Sequence, residues 1–160
     1  MAKLKTRRKR VAPPHLDILE DISTLISHSH DLQETLDRIV ATVADRMQTE
    51  VCSIYILDRT KNRLTLRATR GLDPESVGKV SMGISEGLTG LVIERMKPVM
   101  VADTLAHPRY KYFPETHEEH FHSFLGVPLI EGKLPLGVLV IQTSRRRHFS
   151  RDEIRLLTTI

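Results

Sequence analysis

Two apolar runs near the end of the chain, Phe124 to Ile130 and Leu134 to Ile141, flank the polar link Glu131-Gly132-Lys133. A glycine in a short link between two β-rich runs signals a hairpin, so two central strands are predicted here. Val138, Leu139, Val140 and Ile141 are apolar without alternation, the pattern of a strand covered on both faces. Gly126, Pro128 and Gly137 interrupt the runs. Proline removes a ladder donor and glycine removes packing, so the hairpin is either opened beside a pocket or bent to accept helices.

The remaining pattern supplies what packs on this hairpin. After Pro13-Pro14, Leu16, Ile18, Leu19, Ile22, Leu25 and Ile26 recur at helical spacing. Across the short Ser27 to His30 link, Leu32, Leu36, Ile39, Val40, Val43 and Met47 make a second stripe, opened by an Asp31 cap with Glu34 behind it. Glu50 to Asp58 has strand composition. Arg63 to Thr69 alternates, with Leu64, Leu66 and Ala68 expected on the buried face and Arg63, Thr65, Arg67 and Thr69 toward water. The polar turn Asp58 to Asn62 joins these strands, and a further short strand is predicted at Lys79 to Ser81.

Ser85-Glu86-Gly87-Leu88-Thr89-Gly90 opens a helix that continues through Leu91 to Glu94. Its first-turn amides could receive a carboxylate or other anion, or its glycines could serve only close packing; no Walker-type Lys-Ser/Thr follows. Pro98 to Val101 reads as a short strand. A long connection then runs from Asp103 to Glu119, and Ser150 to Glu153 forms a capping box before Ile154, Leu157 and Ile160. That last stripe stops in mid-pattern, which gives the expectation of a longer parent protein. Together these elements predict an α+β domain over residues 15–160, with a mostly antiparallel sheet of five or six strands and helices on both faces.

Charge changes the picture only at the start. The net +4 of the 160 residues includes six of the 24 Lys and Arg in residues 1–10, where there is no acid, so the body of the chain is slightly acidic. Residues 1–14 are expected to be a basic, disordered tail; without an aromatic for base stacking or a helix-turn-helix pattern, nucleic-acid binding is not expected. No apolar run approaches the roughly 18 residues of a membrane span, and the expected location is the cytoplasm. Cys52 is the only cysteine, so no internal disulfide forms.

The chemistry-bearing residues cluster in the long connection, where Tyr110, Tyr112 and Phe113 are three of the seven aromatics of the chain. Long loops in compact domains tend to be lids or binding loops. Arg109, Lys111 and Tyr112 offer donors for a carboxylate, or are surface groups with their stems and rings on the sheet. The convergent set is Gly87 and Thr89 for amides, Arg109 for a carboxylate, Asp103 for an ammonium or amide, and Tyr112 with Phe124 for an apolar wall. This set predicts a site for a small anionic or zwitterionic metabolite. His117, His120 and His122 invite a metal reading, with Glu118 or Glu119 adding oxygen. Without a cysteine nearby they are read as solvent-facing, and no metal or cofactor is assigned.

Thr49-Glu50-Val51-Cys52-Ser53-Ile54-Tyr55, Ala68-Thr69-Arg70-Gly71-Leu72, Glu86-Gly87-Leu88-Thr89-Gly90-Leu91-Val92, Val101-Ala102-Asp103 and Phe124-Leu125-Gly126-Val127-Pro128-Leu129 together resemble the GAF domain, a relative of the PAS fold. His107-Pro108, Lys111-Tyr112, Pro114, Glu118-Glu119 and Phe121 to Pro128 are similar to the N-terminal GAF domain of nitrogen-related phosphotransferase-system Enzyme I. The resemblance implies a regulatory domain that tunes autophosphorylation of a phosphoenolpyruvate-protein phosphotransferase. It adds glutamine or 2-oxoglutarate as candidate ligands. The catalytic histidine would lie beyond Ile160, with a phosphocarrier protein as partner of that region and no catalysis within this chain. Some GAF domains reduce methionine sulfoxide, a chemistry that needs several cysteines. The alternatives are a structural dimerisation module, with Ile18, Ile22, Leu25 and Ile154, Leu157, Ile160 pairing between copies, and the sensor of a nitrogen-regulated transcriptional activator.

Overall fold

The computed structural model describes Ile18, residues 31–117 and residues 120–160. The expected basic tail, the first helix apart from Ile18, the Ser27 to His30 link and Glu118-Glu119 lie outside the described residues. In chain order the elements are α1 (Leu32–Met47), β1 (Val51–Asp58), β2 (Arg63–Arg70), β3 (Ser81–Gly83), α2 (Gly87–Arg95), β4 (Val99–Val101), β5 (Ser123–Glu131), β6 (Leu134–Thr143) and α3 (Arg151–Thr158). The six strands form one sheet in the order β3-β2-β1-β6-β5-β4, every pair antiparallel. This is the α+β class expected from the pattern. The central pair is β1 with β6, so the β5–β6 hairpin sits one strand off centre, and β3 begins two residues later than the composition suggested.

The unbroken apolar run of β6 is divided between two cores. Leu139 and Ile141 join Cys52, Ile54, Leu125 and Val127 beneath Val40 and Val43 of α1, Leu157 of α3 and Ile18. Val138 and Val140 join Tyr55, Leu64, Leu66 and Phe124 beneath Leu88, Leu91 and Val92 of α2. Helices therefore cover both faces, as a strand without alternation requires.

Three sequence expectations are corrected by tertiary structure. Ile54 pairs with Ala68 but Tyr55 pairs with Leu66, so β2 bulges at Arg67. The extra residue turns the strand over, and Ala68 faces α1 while Leu64 and Leu66 face α2. Leu32 belongs to the predicted stripe of α1 yet is 74% exposed, while its neighbour Gln33 reaches β2 by donating to Arg67 O at 2.8 Å. Ile18 and Leu157, expected to pair between copies, are buried in the core of their own chain. The predicted caps are present: Gln33 N donates to Asp31 Oδ1 at 2.9 Å, and Ser150 and Glu153 bond each other's backbone amides reciprocally.

The hairpin glycines serve close approach. A Cβ on Gly126 would lie 2.7 Å from Val92 Cγ2, so its bareness lets α2 sit on the sheet. A Cβ on Gly137 would lie 2.0 Å from Tyr55 O, across the β1–β6 pair and beside the bulge between Leu129 and Ile130. The bent-sheet explanation thus covers both residues. Among the described residues no helix is long and apolar enough to cross a membrane.

Candidate functional site

The second core is incomplete at one end. Where the start of α2, strands β1, β5 and β6 and the 103–122 connection meet, a cavity is lined by Tyr55, Gly87, Leu88, Thr89, Thr104, Tyr110, Lys111, Phe113, Phe124, Val140 and Gln142, with Met82 of β3. Its free volume of about 20 Å³ holds a single water molecule. Of the six residues singled out from the sequence, Gly87, Thr89 and Phe124 are here.

The remaining three are elsewhere. Arg109 Nη1 pairs with Glu94 Oε2 at 2.6 Å and Nη2 donates to Ser85 O at 2.9 Å, so its guanidinium lies along α2 outside the cavity. Asp103 Oδ2 meets Arg146 at 3.0 Å, while its Oδ1 is buried without a hydrogen-bond partner. Tyr112 is 38% exposed; Tyr110 and Phe113 form the aromatic wall in its place. Side chains on adjacent loop residues point in different directions, and spacing alone does not choose among them.

Gln142 is the residue that the sequence reading missed. It follows Val138 and Val140 on the same side of β6, is 5% exposed, and makes no side-chain hydrogen bond among the described residues. A lone amide ending an apolar strand was the available signal. Thr89, 6% exposed and also in the cavity wall, likewise makes no side-chain hydrogen bond among the described residues. The first amides of α2 have no intrahelical acceptor, as at any helix start, and Glu86 at the N-cap gives them no side-chain bond. Gly87, at φ +66°, presents bare backbone there; a Cβ would touch only Lys111 Cβ and Met82 Sδ, at 3.7 and 3.9 Å. Gly90 is different, since its Cβ would lie 2.7 Å from Ile84 O, and it serves packing.

Lys111 is the charged group at the cavity wall. Its Nζ is 3.2 Å from Glu86 Oε2 and 5.2 Å from the centre of the Phe113 ring. The Gly83 amide, also on Oε2 at 3.2 Å, and Lys111 hold the Glu86 carboxyl below its ordinary value. The pair is thus intact at neutral pH and is lost only as pH falls through that lowered value.

The histidine and cysteine candidates form no common site, and His122 Nδ1 is buried without a hydrogen-bond partner. His117 is left-handed at φ 53°, so it shares no helical face with His120, and its Nδ1 lies 3.5 Å from Asp73. Cys52 is fully buried, and that burial pushes its thiol well up, away from the reactive thiolate.

Sheet order, the division of helices between the faces and a small cavity at a helix start define an α+β domain with helices on both faces of one antiparallel sheet. The chain belongs to the GAF domain family, whose model matches residues 29–160. It is 37% identical over 142 residues to the phosphoenolpyruvate-dependent phosphotransferase system protein of Escherichia coli K12, covering 89% of this chain and 19% of that relative. The GAF domain of a phosphoenolpyruvate-protein phosphotransferase from Coxiella burnetii superposes with a TM-score of 0.86 at 38% identity, covering 91% of this chain and 87% of that one. The Nif-specific regulatory protein of Azospirillum lipoferum is 27% identical over 160 residues, covering 94% of this chain and 25% of the relative. The chain therefore spans a quarter or less of these curated relatives.

Proposed function

We propose that this GAF domain is a regulatory small-molecule sensor of a nitrogen-related phosphoenolpyruvate-protein phosphotransferase, tuning the autophosphorylation of that parent in response to nitrogen metabolites. The observation that carries the reading is the Gln142 side chain, which makes no hydrogen bond among the described residues and lines the cavity at the start of α2. A ligand there meets an amide that the protein itself leaves available. Bare amides favour a carboxylate, which makes glutamine and 2-oxoglutarate the candidate metabolites. The likeness to phosphotransferase-system proteins supports the parent; a catalytic histidine and a phosphocarrier partner are part of the proposal for that parent.

Calorimetry of the domain with each metabolite tests this: binding heat with either is expected, and none at millimolar concentrations of both overturns it. Because Arg109 already pairs with Glu94 and Ser85, Arg109→Ala is expected to weaken binding by less than the roughly 1.5–3 kcal/mol of a charge-assisted hydrogen bond.

A second reading, a homodimer, is favoured by one feature. Ile130 and Leu136 are exposed in a groove lined also by Leu36, Ile39 and Ile160, and Leu32 and Leu134 are exposed on the adjoining α1 and β6, apolar surface suited to a second copy. Light scattering is expected to give a dimer at micromolar concentration and a monomer for Leu134→Glu; a monomeric wild type ends this reading. The likeness to the Nif-specific regulator supports a transcriptional activator as the alternative parent.

A further inference from the structure

We propose that residues 105–113 form a gate over the cavity, hinged at Thr104 and Thr116 and held shut by two ion pairs to the α2 region. The inference rests on the sensor reading, since it concerns entry to the same cavity. That cavity is too narrow as it stands: its free volume of about 20 Å³ is far below an amino acid, and Tyr110, Lys111 and Phe113 are part of its wall. Any metabolite must displace this stretch.

The two ends are fixed in a different way from the middle. Thr104 is 1% exposed, its amide donates to His122 O at 2.7 Å, and its hydroxyl donates to Phe121 O at 3.1 Å. Thr116 is also 1% exposed; its amide and hydroxyl both donate to Phe113 O, and its carbonyl accepts from Asp73 N at 3.4 Å. The His122, Phe121 and Asp73 bonds tie the two ends to the rest of the fold, whereas the Thr116–Phe113 bonds are internal to the stretch. Between them Leu105 is 57% exposed, and the stretch reaches α2 through Arg109, on Glu94 and Ser85 O, and Lys111, on Glu86. Exposed ion pairs are individually weak, which suits a latch that must release.

The latch also senses charge. Lys111 stands between Glu86 and the uncapped start of α2, so an anion entering at those amides competes with Glu86 for the same ammonium. The ligand that needs the gate open can then draw Lys111 back over itself.

Amide hydrogen exchange on the 160-residue chain tests the gate without any ligand. Glu86→Gln and Glu94→Gln are each expected to speed exchange of residues 105–113 and of Leu88 and Thr89 about two- to fivefold, the range set by one exposed pair, and the double variant more. Amides of β1 and β6 should not change. Raising sodium chloride should accelerate the wild type more than the double variant, which lacks the Arg109–Glu94 and Lys111–Glu86 pairs. Unchanged exchange in the double variant, or equal acceleration throughout the sheet, overturns the gate. Faster gate exchange without binding of glutamine or 2-oxoglutarate overturns the metabolite assignment alone. Binding with unchanged exchange overturns the gate alone.

Discussion

Gly137→Ala is expected to destabilise the domain by about 3 kcal/mol, the upper end of the cost of overpacking. Gly137 stands in β6 opposite Ile56 of β1 on one side and Leu129 of β5 on the other, in the middle of the sheet. The added Cβ would lie 2.0 Å from Tyr55 O, 3.1 Å from Tyr55 C and 3.2 Å from Ile56 Cα. These are all backbone atoms, so no rotamer change relieves the contact and the two central strands must separate. Separation propagates to both cores, because neighbouring Val138 and Leu139 belong to opposite faces. Gly83→Ala is the control: its Cβ would meet side-chain atoms alone, none nearer than 3.8 Å, and a change within about 0.5 kcal/mol is expected. Urea denaturation of the three proteins measures the difference. Gly137→Ala within 1 kcal/mol of wild type would mean that β6 slides past β1, and the close-approach account of this glycine would fall.

The same region shows what could be read in advance. The doubly covered β6, its hairpin partner and the Asp31 and Ser150 caps were legible because each depends on residues next to one another in sequence. The pairing of β1 with β6 joins segments some eighty residues apart, and no local pattern announces it. The bulge at Arg67 was hidden for a related reason: strict alternation through Leu64, Leu66 and Ala68 implies one face, and only the register against Tyr55 and Ile54 reveals the turn between them. In the site, Gly87 and Thr89 were legible as a helix start and Phe124 as an inward strand residue. Arg109 and Asp103 were not, since their directions are set by Glu94 and Arg146, carboxylate and guanidinium contributed by distant segments. Lys111 stood in the same donor-rich loop as Arg109. Its position at the cavity follows from the path of the backbone between the Thr104 and Thr116 anchors, which charge and spacing do not encode.

Gln142→Leu is expected to leave the stability of the free domain within about 1 kcal/mol of wild type while weakening metabolite binding by about 1–3 kcal/mol. Most substitutions at buried positions destabilise, so a neutral one is informative. Leucine is close to glutamine in volume and would continue the apolar face of Val138 and Val140 toward Phe124 and Tyr55. It removes an amide that makes no hydrogen bond among the described residues and faces the cavity, so the fold loses no bond with it. Urea midpoints and calorimetric titrations of the same two proteins read both effects. A loss of stability beyond 1 kcal/mol would show that the Gln142 amide supports the fold, and the observation that carries the sensor reading would be gone.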